Sequence, residues 1–350
     1  MEALNLSLQI TTMKQSFLII LFIFSLVSCG STEDIKLEKE PDYIIAFGSC
    51  NREDAPQPLW NEILKNEPDV FLWGGDNVYA DTDVPEVLSE AYAVQKNNDG
   101  YQKLLSSVPV YGVWDDHDYG QNDGGKDYEI KEESQQYFLD FMGVAKNDPR
   151  RDQEGIYSSE MLETPKGSIK VIMLDTRYFR DDLLRNSDAN RRYEPYSGTI
   201  LGQQQWSWLQ NELETSNAQF NIILSSIQIL SDEHGFETWG NFPSEAQKLK
   251  SVIVTSEVKN VILLSGDRHI SEFSEERING LSYPLVDFTS SGLTHTYEAF
   301  DGEPNEHRVG EVVSKKSFGL LKFDFENSRV SMEMRGLNNR KQQDYIVEFQ

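Results

Sequence analysis

Gly112-Val113-Trp114-Asp115-Asp116-His117-Asp118-Tyr119-Gly120 reads GVWDDHDYG and follows the apolar run Val108-Pro109-Val110-Tyr111. Three carboxylates and a histidine occupy the four consecutive positions from Asp115 to Asp118. Like charges this close repel unless a cation neutralises them or water screens them. An acidic surface turn, screened by water, would say nothing about function. A cation site at the end of a buried strand would say a great deal. The two readings part on whether similar clusters recur at the ends of other strands, because an open α/β sheet gathers the carboxyl ends of its strands along one ligand-binding edge.

They do recur. Residues 43–47 (YIIAF) read as a buried strand ended by Gly48-Ser49-Cys50, and residues 70–73 (VFLW) as a second ended by Gly74-Gly75-Asp76. The strand over 108–114 runs into the opening cluster, and one over 169–174 ends at Asp175-Thr176-Arg177. A strand over 221–226 ends near Gln228, and one over 258–265 ends at Gly266-Asp267-Arg268-His269. Between them, helical spacing marks residues 58–65, roughly 85–105, 131–142, 203–214 and 245–255. Residues 178–197, rich in Arg, Asp, Asn and Tyr, read as a long loop bordering the pocket. The tail turns strand-only over 285–288, 319–325, 329–335 and 345–349. Strand and helix alternate first and strands follow alone, which points to an α/β fold with mixed sheets.

Composition narrows the function. The 350 residues carry 58 Asp and Glu against 32 Lys and Arg, a net charge of −26. That balance argues against nucleic acid as a partner, since polyanion binding needs a basic surface. A phosphate ester remains open as a substrate, because a local metal charge outweighs the global field. Two cysteines, Cys29 and Cys50, are too few for a bridge-stabilised secreted scaffold.

The N-terminus reads as a signal and not as fold. From Met13-Lys14 the chain runs MKQSFLIILFIFSLVSCGS: a basic start, an apolar run over 17–27, then small residues. The run is short for a membrane span. Leu26-Val27-Ser28-Cys29 resembles a bacterial lipobox, in which Cys29 carries lipid and becomes the first mature residue. Met13 is read as the start, 1–29 as the signal, 30–42 as a charged tether and 43–350 as one catalytic domain. The expected location is outside the cytoplasm, lipid-anchored on the periplasmic or cell-surface side of a bacterial membrane. A lipidated Cys29 leaves Cys50 without a disulfide partner.

Taken jointly, Gly48-Ser49-Cys50, Gly75-Asp76-Asn77-Val78-Tyr79, Asp115-Asp116-His117-Asp118 and Gly266-Asp267-Arg268-His269 resemble the strand-end motifs of the calcineurin-like metallophosphoesterases, specifically the alkaline phosphatase D (PhoD-type) family. Cys50, Tyr79 and Asp267 stand where that branch departs from the wider superfamily. Residues 172–177 and 201–209 share the resemblance, which covers roughly 44–288.

The resemblance implies a four-layer αββα sandwich and hydrolysis of phosphate monoesters and diesters. It implies two or more cations, iron together with calcium. Asp76 is then the bridging carboxylate, Cys50 and Tyr79 ligands of ferric iron, Asp116 a ligand that also touches substrate, and Asp267 and His269 further ligands. His117 is the general acid or phosphate-stabilising group. Asp118 is a candidate to orient His117. Arg177 and Arg268 are candidates for a bidentate phosphate contact, with a salt bridge in the acidic rim as the alternative for each. The small ester is the expected partner, and the chain is read as a monomer. A binding lipoprotein that kept the fold without catalysis is the competing reading, against which the complete set of ligand types argues. A phospholipid- or nucleotide-specific phosphodiesterase is a narrower form of the enzyme reading.

Overall fold

The computed structural model describes residues 39–187 and 191–349. The signal segment, Cys29 and most of the tether fall in 1–38, outside the described residues. From Pro41 onward the chain forms one compact unit.

Two large sheets carry the fold. The first contains β1 (Tyr43–Gly48), β2 (Val70–Gly74), β3 (Val110–Val113), β13 (Ser317–Asp324), β14 (Arg329–Gly336) and β15 (Lys341–Glu348), in the order β15-β14-β13-β1-β2-β3. The second contains β4 (Ser158–Glu163), β5 (Ser168–Met173), β8 (Phe220–Leu224), β9 (Val261–Ser265), β10 (Ser271–Glu276), β11 (Leu285–Ser290) and β12 (Arg308–Val313), in the order β12-β10-β11-β9-β8-β5-β4. Both sheets are mixed. In the first sheet the parallel pairs β1–β2 and β2–β3 form one edge and the antiparallel strands the other, and in the second the parallel pairs β5–β8, β8–β9 and β9–β11 form the centre with antiparallel pairs on both flanks.

Period-2 alternation explains the layering. In the second sheet Val171, Ile222 and Leu264 face the first sheet, while Ile172, Ile223 and Leu263 belong to a separate cluster on the far side. The inner faces meet through aromatic pairs such as Phe47 with Phe288 at 4.8 Å and Phe220 with Phe323 at 5.2 Å. Each such fully buried side chain contributes about 1.5–3 kcal/mol of transfer free energy. On the outer face of the second sheet, α6 (Gly202–Glu214) supplies Trp206, Leu209 and Leu213, and α7 (Pro243–Thr255) supplies Leu249 and Ile253. On the outer face of the first sheet, α1 (Trp60–Leu64) packs Trp60 edge-to-face with Phe71 and Trp73. Next to it, α2 (Pro85–Lys96), α3 (Asp99–Ser107) and α5 (Lys131–Phe141) complete the layer. The result is the expected four-layer αββα sandwich.

Several details differ from the sequence reading. The single helix expected over 85–105 is two, because the Asn98 side chain accepts from the backbone N–H groups of Gly100 and Tyr101 and starts a new helix. The loop over 178–197 holds a short hairpin, β6 (Leu184–Arg185) with β7 (Tyr193–Glu194). The strands β4, β10 and β12 escaped notice because each is charged or polar along much of its length. The opening cluster itself forms a short helix, α4 (Asp116–Tyr119), whose N-cap Asp115 and Asp118 make a reciprocal capping box.

Candidate metal centre

The parallel strands of both sheets end on the same side of the sandwich, and there the two sheets meet. Ser49, just after β1, bridges to Ser291, just after β11. The Ser49 hydroxyl donates to the Ser290 carbonyl at 3.0 Å, and the N–H groups of Leu293 and Thr294 donate back to the carbonyls of Ser49 and Cys50. Gly266, at the end of β9, sits against this seam. A Cβ there would lie 2.5 Å from the Gly74 carbonyl oxygen and 2.6 Å from Ser49 Oγ, so a side chain would hold the sheets apart.

Closing the seam gathers the polar strand ends into four overlapping groups. They are Cys50–Asp76–His269, Asp76–Asp116–His117, Asp115–Asp116–Asp267 and Asp116–Asp123–Glu237, each with its donor atoms within 4.8 Å of one another. Asp76 belongs to two groups and Asp116 to three. The Cys50 thiol donates to Asp76 Oδ2 at 3.3 Å, and the Tyr79 hydroxyl donates to the same oxygen at 3.0 Å while lying 3.0 Å from His269 Nε2. A cavity of about 480 Å³ opens above the donors, with Asp116, His117, Asp267 and His269 in its lining.

The backbone at these positions is unusual. Cys50, Asp76, Asp267 and His269 have φ of +58°, +51°, +65° and +54°, in the left-handed region that non-glycine residues seldom occupy. Asp81 and Asp123, at the same edge, share it with +43° and +54°. Such strain gathers where surrounding structure over-determines a site.

The electrostatics fit a cation. Asp76 Oδ1 and Asp115 Oδ2 are buried and have no hydrogen-bond partner among the described residues. Desolvation, then the neighbouring Cys50, pushes Asp76 well above the usual carboxylate range. Desolvation, then Asp115, does the same to Asp267. Burial pushes the Cys50 thiol up to about 11. Burial lowers His269, which favours the neutral imidazole that ligates metals. Positive charge among these groups reverses the penalty on each carboxylate and on the thiol. Thiol, phenol and imidazole on one side and carboxylates on the other form a donor set for more than one ion.

A family model described as PhoD-like phosphatase matches residues 45–318. The chain belongs to the PhoD-like phosphatase family. It is 22% identical to alkaline phosphatase D of Bacillus subtilis (strain 168) over 301 residues, which covers 72% of this chain and 52% of that protein. The match thus spans about half the length of that curated relative. Among solved structures, one of PhoD superposes with a TM-score of 0.70 at 17% identity, covering 88% of this chain and 68% of the other. A dimetal phosphatase from Danio rerio gives 0.55 at 12% identity, covering 89% and 100%. These two show the fold.

The PhoD-like residues quoted from the sequence, Cys50, Asp76, Tyr79, Asp116, His117, Asp267 and His269, all converge on this one edge. Among their neighbours one expectation changes, that for Asp118. Asp118 does not orient His117. Its carboxylate accepts from the backbone N–H groups of Asp76, Asn77 and Asp115 and from the Asn77 amide, strapping the ends of β2 and β3 together. Adjacent positions on a helix point in different directions, so Asp118 and His117 diverge. The partner of His117 is Asp81, 2.7 Å from Nδ1. Arg177 takes the salt-bridge alternative. It is fully buried, its Nε donates to Asp115 at 2.7 Å and its Nη1 to Glu237 at 2.7 Å, so no substrate reaches it. Arg268 does line the cavity, donating to Glu303 at 2.7 Å and lying over the Phe236 ring.

Sequence reading missed Asp81, Asp123, Glu237 and His295. Asp123 donates its N–H to Asp116 Oδ2 at 2.6 Å, and Glu237 reaches Arg177 from a loop 60 positions further on. His295 packs edge-on against Tyr79 at 4.9 Å and His269 at 4.4 Å. None follows an apolar run closely enough to signal a strand end. The ADTD stretch ending at Asp83 did carry a signal for Asp81, being an acidic patch straight after Tyr79.

Proposed function

We propose that the protein is a metal-dependent hydrolase of phosphate monoesters and diesters. The observation that carries the reading is one cavity edge where thiol, phenol, imidazole and carboxylate donors meet, with two buried carboxylate oxygens unpartnered. Cys50, Tyr79, His269 and the shared Asp76 would hold an iron-type ion, and Asp76, Asp116 and Asp267 a harder cation such as calcium. Such cations supply the charge that acidifies water and offsets the charge building on phosphoryl oxygens.

The chain's own groups do the rest. Asp81 accepts from His117 Nδ1, which turns Nε2 toward the donors and fixes its role. Burial works against protonation of His117, but Asp76, Asp81 and Asp116 outweigh it and push the imidazole up to about 11. Of these three, Asp81 alone stands outside the candidate ligand groups, so its support persists with cations bound. A protonated Nε2 donates to the leaving oxygen or to a phosphoryl oxygen. Arg268 offers a guanidinium to the same phosphoryl group.

The test is metal content of the purified protein together with turnover of matched monoester and diester chromogenic substrates. Iron with a second cation, and turnover that falls on chelation, is the expected result. A metal-loaded protein inactive on both esters leaves the binding-lipoprotein reading instead. We place the protein outside the cytoplasm, anchored through lipid on Cys29, on the strength of the lipobox; among the described residues no helix is long and apolar enough to cross a membrane. Cys29→Ala is expected to move the protein from the membrane fraction. A wild type already in the soluble fraction overturns the anchor.

A further inference from the structure

We propose that His295 is a positioning residue for the candidate iron site: its ring braces Tyr79 and His269, and through the Thr294 hydroxyl it braces the turn at Cys50. The proposal rests on the metal-dependent reading and deepens it, naming what holds three donors from three strand ends in one arrangement.

The donors need such support. Cys50 follows β1, Tyr79 follows β2 and His269 follows β9, so no single element fixes them together. The Tyr79 hydroxyl lies 3.0 Å from Asp76 Oδ2 and 3.0 Å from His269 Nε2. Those contacts hold the tips of the side chains. The last torsion of an aromatic side chain is broad, so the ring planes are left to packing.

The His295 ring supplies that packing. It stands nearly perpendicular to Tyr79, at 4.9 Å and 75°, and to His269, at 4.4 Å and 72°. Perpendicular aromatic pairs are a favoured arrangement. The Tyr79 ring also stacks with His117 at 4.1 Å, so two imidazoles meet the phenol. His295 belongs to none of the four donor groups and so acts through its neighbours.

The chain around His295 is tied to the same donors. The Thr294 N–H donates to the Cys50 carbonyl at 3.3 Å, and the Tyr297 N–H donates to the His269 carbonyl at 2.8 Å. The Thr294 hydroxyl donates to the Cys50 carbonyl at 3.2 Å, accepts from the Arg52 N–H at 2.8 Å and lies 3.0 Å from His295 Nδ1. A hydroxyl has one proton and two lone pairs, so His295 is the donor in this last bond, as the Nδ1–H tautomer. One buried hydroxyl therefore joins the imidazole to the turn that holds Cys50 at a φ of +58°.

The test reads the metal site by spectroscopy as well as by affinity. Ferric iron is titrated into the metal-stripped protein, and the phenolate-to-iron charge-transfer band is recorded at saturation, where it reports donor geometry in molecules that all hold the ion. His295→Ala is expected to bind iron about 10- to 100-fold more weakly and to shift or weaken the band. His295→Phe keeps a ring and is expected to recover part of both. Thr294→Val removes the shared hydroxyl and is expected to cost about fivefold in affinity, the worth of one neutral hydrogen bond. Wild-type affinity and band in His295→Ala overturn the role. So does weaker binding with an unchanged band at saturation, which a merely structural residue would give. Should His295→Ala fail to fold, His295→Phe set against wild type and Thr294→Val carries the same criteria. A wild type that takes up no metal and turns over neither ester sinks the metal-dependent reading; a wild type with iron, band and turnover, matched by its variants, sinks the positioning role alone.

Discussion

His117 and Asp81 are 36 positions apart and meet only because β2 and β3 lie side by side, with Asp81 just beyond the end of one strand and His117 just beyond the other. Their roles are separable by mutation. His117→Ala is expected to cut turnover by about 10²- to 10⁴-fold with metal content largely kept, as for loss of a general acid. Asp81→Asn removes the carboxylate that orients the ring and is expected to cost about 10- to 100-fold. If proton donation to the leaving group dominates, alkyl esters suffer more in His117→Ala than esters of acidic phenols, whose leaving groups need less help. Wild-type rates on both ester types take His117 out of the chemistry. Arg177 is a different kind of residue, buried between Asp115 and Glu237. Arg177→Met leaves Asp115 buried without its guanidinium and Glu237 with Arg180 alone, and is expected to destabilise the fold by about 3–5 kcal/mol. A urea midpoint equal to wild type would show that both carboxyls are already neutral.

At the scale of elements, the seam between the sheet edges decides the site. The donors from β1 and β2 reach those following β9 and β11 only when the two edges touch, and Gly266 permits that contact. Gly266→Ala puts a methyl against the Gly74 carbonyl and Ser49 Oγ, both near rigid backbone. The expected result is about 1–3 kcal/mol of lost stability, the cost of overpacking. Metal affinity should fall with it, because Asp267 and His269 move away from Asp76 and Cys50. Stability lost with metal affinity intact would show that the edges can part without disturbing the donors. The strand ends themselves were readable, since a short apolar run stopping at a glycine and a polar cluster is a local pattern. The charged strands β4, β10 and β12 were not, because each is recruited by a neighbour's edge and not by its own alternation.

For the molecule as a whole, the acidic balance and the metal centre act together. With a net charge of −26 and several carboxylates packed at one edge, bound cations there are expected to stabilise the fold. Chelation is expected to lower the melting temperature by about 5 °C, since a ligand present at a hundred times its Kd adds about 2.7 kcal/mol. Re-addition of the metals should restore it. An unchanged melting temperature after verified metal loss would mean that protonation alone relieves the crowded carboxyls. What the sequence alone determined is the set of strand ends with their chemistry. Through the family resemblance it also pointed to the sandwich and to the seven residues at its edge. These are local signals: apolar runs, glycines and clustered donors a few positions apart. Tertiary structure alone decided which carboxylate holds His117, why Asp118 straps the backbone instead, and why Arg177 is locked inside. It also brought Asp116, Asp123 and Glu237, from separate stretches of chain, into one group of donors. Those outcomes depend on side-chain direction and on contacts between distant segments, which are set by how two sheets pack and are written in no single stretch of chain.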